Sequence, residues 1–107
     1  MAITSTFLSN VNSSIFTSDG SNAITAIYFC NTGTQIAHLT VHLVPKTFNP
    51  GNDNIIYYQI PISTYDTYIM DTEKIILEDG DRIFANLEVN YHSSNTSIVA
   101  TVSTIGI

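Results

Sequence analysis

The chain has 107 residues and a mass of 11.7 kDa, room for one compact domain and little more. Hydrophobic residues make up 44% but charged residues only 11%, under half of the roughly 25% usual in soluble domains, so 14 Thr, 11 Ser and 10 Asn must supply most of the surface. Three basic residues against nine acidic ones leave a net charge of −6, which repels phosphate backbones and anionic headgroups and argues against nucleic acid and membranes as partners.

Sixteen Ile and no Trp favour strands, because β-branched side chains suit pleated surfaces. Disordered chains are poor in Ile and Tyr and rich in charge, and helix bundles need the Leu, Lys, Glu and Arg that are scarce here. Residues 1–10 read as an N-terminal arm, and no basic region followed by an apolar stretch marks Met1 to Thr6 for secretion. With a single cysteine, Cys30, the chain has no internal disulfide; Cys30 is expected as a small buried hydrophobe at a strand end, in a reducing cytoplasm.

Residues 11–107 read as a single β-sandwich, with turn signals about every ten residues. The predicted strands are Val11 to Phe16, Ala23 to Cys30, Ile36 to Val44, Ile55 to Ile62, Tyr65 to Met70, Ile75 to Leu77, Arg82 to Tyr91 and Ser97 to Ile105. That makes an all-β, antiparallel, jelly-roll-like sandwich of about eight strands. Ser18 to Ser21 closes the first strand. Asn31-Thr32-Gly33-Thr34 reads as a hairpin turn that uses Gly33 at positive φ. Lys46 to Asn54 reads as the longest and most flexible loop, Glu78-Asp79-Gly80-Asp81 as the sharpest hairpin, and His92 to Asn95 as the last turn.

Two strands alternate cleanly. Leu39, Val41 and Leu43 oppose His38, Thr40 and His42; Ile83, Ala85, Leu87, Val89 and Tyr91 oppose Asn86, Glu88 and Asn90. Each should have one wet face. Ala23 to Cys30 and Ile55 to Ile62 are instead apolar on both faces. A two-layer domain of this size has few places to bury both, so a partner chain is the expected cover.

Catalytic and metal chemistry find little support. His38 and His42 on one strand face lie about 13 Å apart, no further ligand stands at metal spacing, and His92 falls in a turn. The acidic turn at 78–81 lacks the alternating oxygens of a calcium loop and fits hairpin geometry better. Asp66 and Asp71 point to opposite faces of a short strand, and no nucleophile elbow or phosphate loop is present. No enzyme activity and no cofactor are expected. Tyr57, Tyr65 and Tyr68 could form a sugar platform, but cross-strand or interface packing fits them better in a chain without Trp.

The segments Ser21 to Gly33, Leu39 to Pro45 and Leu77 to Ile83 together resemble small β-sandwich virion proteins of tailed bacteriophages, over about Val11 to Ile107. The resemblance implies a non-enzymatic structural subunit, assembled in the host cytoplasm into a virion in many copies. Its partners would be other virion proteins and copies of itself. Capsid decoration, neck or collar, and tail or fibre attachment are all compatible. No binding residues carry over, because the matching positions are turns and strands. The candidate contact residues come from the chain itself: Tyr57, Tyr58, Tyr65 and Tyr68, with Lys46, Phe48 and Asn49 of the long loop. A carbohydrate-binding accessory module is the alternative.

Overall fold

The structure is a computed structural model that describes residues 2–8, 12–33, 36–70, 75–88 and 98–106. It is all-β. Nine strands run β1 (Ala2–Phe7), β2 (Ser13–Thr17), β3 (Asn22–Asn31), β4 (Ala37–Val44), β5 (Ile55–Ile62), β6 (Thr67–Met70), β7 (Ile75–Leu77), β8 (Arg82–Glu88) and β9 (Ile98–Gly106). The eight expected strands each have a counterpart. The ninth is β1, inside the segment read as an arm: Ala2 to Phe7 pairs along its whole length with β9.

Two antiparallel sheets face each other. The first has the order β1-β9-β3-β6, with β7 also on β3; the second has the order β2-β8-β4-β5. Between them lies an Ile-, Leu- and Val-rich core in which Ile27, Phe29, Leu39, Val41, Ile83, Ala85, Ile98 and Ala100 have no exposed surface. Inward and outward residues alternate along β9, and Ile83, Ala85 and Leu87 are buried on β8 as expected. Val11, Thr34, Asp71, Lys74, Val89 to Asn95 and the turn within them lie outside the described residues.

The two-faced character of Ala23 to Cys30 has an internal cause. A bulge between Ile24 and Ala26 shifts the register with β9, and one extra residue reverses the phase of all that follow. Ile24 is buried before the bulge; Ile27 and Phe29 are buried after it. The strand therefore has one inward face with a phase change. Cys30 falls on the outer side and is half-buried, because the same shift turns it out of the core.

Two expected hairpins are crossings between sheets. The turn expected at Asn31 to Thr34, whose last residue is outside the described ones, falls between β3 and β4, which belong to different sheets. The crossing is pinned by Asn31, which is fully buried. Its side-chain oxygen accepts from the Gly33 amide at 2.9 Å and its Nδ2 donates to the Ile62 carbonyl of β5 at 3.0 Å. Glu78 to Asp81 likewise joins β7 of one sheet to β8 of the other. Gly80 does adopt positive φ, at 88°. The Asp81 amide donates to the Glu78 carbonyl at 3.0 Å, while Gly80 N and Ser18 N reach across to the Ser18 and Asp81 carbonyls at 2.8 Å each.

Candidate functional site

The outer faces of the two sheets are unlike. On the second sheet, the side of β4 read as wet is largely closed: Thr40 and His42 are buried. His42 Nδ1 lies 2.8 Å from Asn54 Oδ1 and 3.1 Å from the Gly51 carbonyl. Asn54 Oδ1 also accepts from Gly51 N, and its Nδ2 donates to the Asn49 carbonyl. Arg82 donates to the carbonyls of Pro45, Lys46 and Phe48 and lies 5.2 Å from the Phe84 ring centre. The segment expected to be the most flexible loop is thus tied down by bonds from both β4 and β8.

The outer face of the first sheet has no such cover among the described residues. Its strands contain no charged residue. The pairing sets out its rows: Phe7, Val99, Cys30 and Thr67 run side by side, then Ser5, Thr101, Tyr28 and Ile69, while Ile105, Ala23 and Ile76 form a row at the other end. Six of these and their neighbours are large, apolar and open: Ile3, Phe7, Tyr28, Ile69, Ile76 and Ile105, with Phe7 71% and Ile3 68% exposed. Exposed apolar residues gathered on one sheet face make it the candidate interaction surface of the domain.

The hydroxyls between them are already engaged. Thr25 Oγ1 donates to the Ser103 carbonyl at 3.0 Å and shares a 2.8 Å bond with Ser103 Oγ; Ser5 and Thr101 hydroxyls are 3.3 Å apart. A hydroxyl with an internal partner costs less to take out of water. The face can be dried.

The tyrosines singled out from the sequence divide into two pairs. Tyr57 of β5 and Tyr68 of β6 meet edge to face across the sandwich rim, with ring centres 6.0 Å apart, so they close one side of the core. Burial, and then the neighbouring Tyr57, push the Tyr68 hydroxyl above its ordinary pKa. Tyr58 and Tyr65 point out, 67% and 78% exposed, and Tyr65 sits at a φ of 62°. Lys46, Phe48 and Asn49 are exposed in the connection that leads into β5. Lys46 Nζ is 3.9 Å from Asp79 Oδ2.

The acidic turn spends its carboxylates on backbone amides. Asp81 accepts from Lys46 N and Glu78 N, and Asp79 from Gly20 N. Asp66 accepts from Thr67 N. No group of three potential metal ligands occurs among the described residues, and no helix is long and apolar enough to cross a membrane. The sequence reading missed Ile3, Phe7, Ile69, Ile76 and Ile105. The signal that could have found them is the absence of charge from five strands, including one hidden in the supposed arm. No protein-family model, curated protein or solved structure matches the chain.

Proposed function

We propose that the chain is a non-enzymatic structural subunit of a virion, a jelly roll that builds into the particle through protein–protein contacts. The observation that carries this reading is the uncharged, apolar outer face of the first sheet, an adhesive surface with no catalytic group on it. The strand order supports the finer fold. The pairs β1–β9, β2–β8, β3–β6 and β4–β5 nest inside one another, with β7 set aside, as the strands of one long hairpin do when it rolls into two sheets. Capsid and lectin domains are common uses of that architecture. The resemblance of the turn-and-strand segments to tailed-phage virion proteins agrees with the first use.

The test is quantitative mass spectrometry of gradient-purified particles. Peptides of this chain should be present at a fixed, multi-copy ratio to the major shell protein, and cryo-EM of the same particles should show where. Absence from clean particles overturns the reading. The exposed Tyr58 and Tyr65 favour one alternative, a carbohydrate-binding accessory. It requires glycan-array binding that Tyr58→Ala and Tyr65→Ala abolish.

A further inference from the structure

We infer that the partner of the first sheet's outer face is a second copy of the same chain, packed back to back. This names one partner within the assembly reading above and rests on it. Three observations support this pairing: charge favours it, and the size and polar state of the face permit it.

The first is charge. The chain carries a net −6; among the described residues Asp19, Asp53, Asp66, Glu78, Asp79 and Asp81 lie in turns and Glu88 lies in β8 of the second sheet. Two copies meeting through those turns bring acid to acid. The strands β1, β9, β3, β6 and β7 contain no charge, so this face lets two acidic chains approach with the least repulsion. A basic partner would be drawn to the turns instead.

The second is size. The 32 residues of the first sheet's five strands, each about 3.3 Å long on strands about 4.8 Å apart, make a face of about 500 Å² in projection. Side-chain relief raises its accessible area towards the roughly 800 Å² per partner of a standard interface. One face on each copy is enough, and a two-fold axis uses the same patch twice.

The third is the state of its polar groups. Thr25, Ser103, Ser5 and Thr101 bond to one another within the sheet, so apposing two such faces strands few donors. Isoleucines and phenylalanine supply the apolar relief, and two sheets pack face to face at about 10 Å.

The experiment is analytical ultracentrifugation of the whole chain over a wide concentration range. The wild type should pass from 11.7 kDa towards twice that mass. Phe7→Glu with Ile69→Glu should weaken association about 100-fold, since like charges then face each other in an apolar contact. Phe7→Lys with Ile69→Lys should do the same alone, and an equimolar mixture of the two variants should restore the dimer. Far-ultraviolet circular dichroism checks that both variants fold. Tyr58→Glu, on the other sheet, should leave association unchanged. A monomer at every concentration overturns the inference, as does association that survives the Glu and Lys pairs, which would place contact at the β1 edge or the turns. The two readings fail separately: a face-dependent dimer absent from particles sustains the pairing and removes the virion assignment, whereas a strict monomer that copurifies in many copies does the reverse.

Discussion

The two outer faces are built by neighbouring stretches of one chain, and they have opposite fates. One end of the second sheet's face is roofed by its own connection: His42, Asn54 and Arg82 hold residues 45–54 there, while Ile56 and Tyr58 of β5 stay exposed. The first sheet's face has exposed Ile, Phe and Tyr between hydroxyls that bond sideways. A strand face can be finished by loops from its own chain or left for another molecule. The difference here is visible in side-chain type: the roofed end carries His and Arg, which anchor a loop through directional bonds, and the first sheet's face carries uncharged, mostly apolar groups.

The largest test separates inside from outside on one strand. Phe29→Ala should cost about 3–5 kcal/mol, because it opens a cavity where Phe29 has no exposed surface. The adjacent Tyr28→Ala, on the outer face, should cost under about 1 kcal/mol. Denaturant melts at high dilution keep any self-association out of the comparison. Equal costs would mean that the outer face belongs to the core and is not a free surface.

Next is the end of the molecule where the roof meets the turn at 78–81. Gly80→Val should cost about 1–3 kcal/mol from strain at a φ of 88°. An added Cβ there would also press to 2.6 Å from the Lys46 side chain. Gly51→Val, within the roof itself, has no positive φ to satisfy and meets only Asp53 Oδ1 at 3.1 Å; it should cost under about 1 kcal/mol. Similar melting temperatures for the two would break this account of the turn.

His42→Ala should cost about 1 kcal/mol, the worth of a buried hydrogen bond. Its sharper signature is faster amide exchange at Leu43 and Gly51, whose amides donate to the Asn54 carbonyl and side chain. Unchanged exchange would mean that the roof holds without its anchor.

The smallest effect concerns the rim. The Tyr68 hydroxyl has a raised pKa in the folded chain, so the fold favours its neutral form. That contribution is whole below the unfolded value of about 10 and is lost as pH rises through the folded value. Tyr68→Phe should therefore flatten the alkaline limb of the stability curve; an unaltered limb would show that the rim does not sense ionisation.

Much of this architecture was legible because alternation is local. Ile83, Ala85 and Leu87 declare their face within a few residues of chain, and Pro45 and Gly80 mark where strands stop. What escaped the sequence depends on distant partners. Whether a turn closes a hairpin or crosses to the other sheet is decided by what β3 and β8 pair with, and a turn signal is silent on that. The bulge after Ile24 made one buried face look like two. The roof over His42 needs Asn54, twelve residues away, and periodicity cannot see it. The apolar face escaped for the same reason, since Ile3, Tyr28, Ile69, Ile76 and Ile105 are scattered along the chain and meet only through strand order; the lack of charge in its strands was the one local sign of it.

The pairing of β1 with β9 also bears on how the molecule comes into being. Ala2 is opposite Thr104, and β9 lies between β1 and β3. As a ribosome delivers the chain from the amino end, β1 has no neighbour in its sheet until the residues after 98 emerge. The first sheet therefore completes only after β2 to β8 have been made, by slow, long-range closure. Until then the uncharged apolar face does not exist as a surface. A chain cut short before β9 never completes that face, because both β1 and β3 lose their shared neighbour.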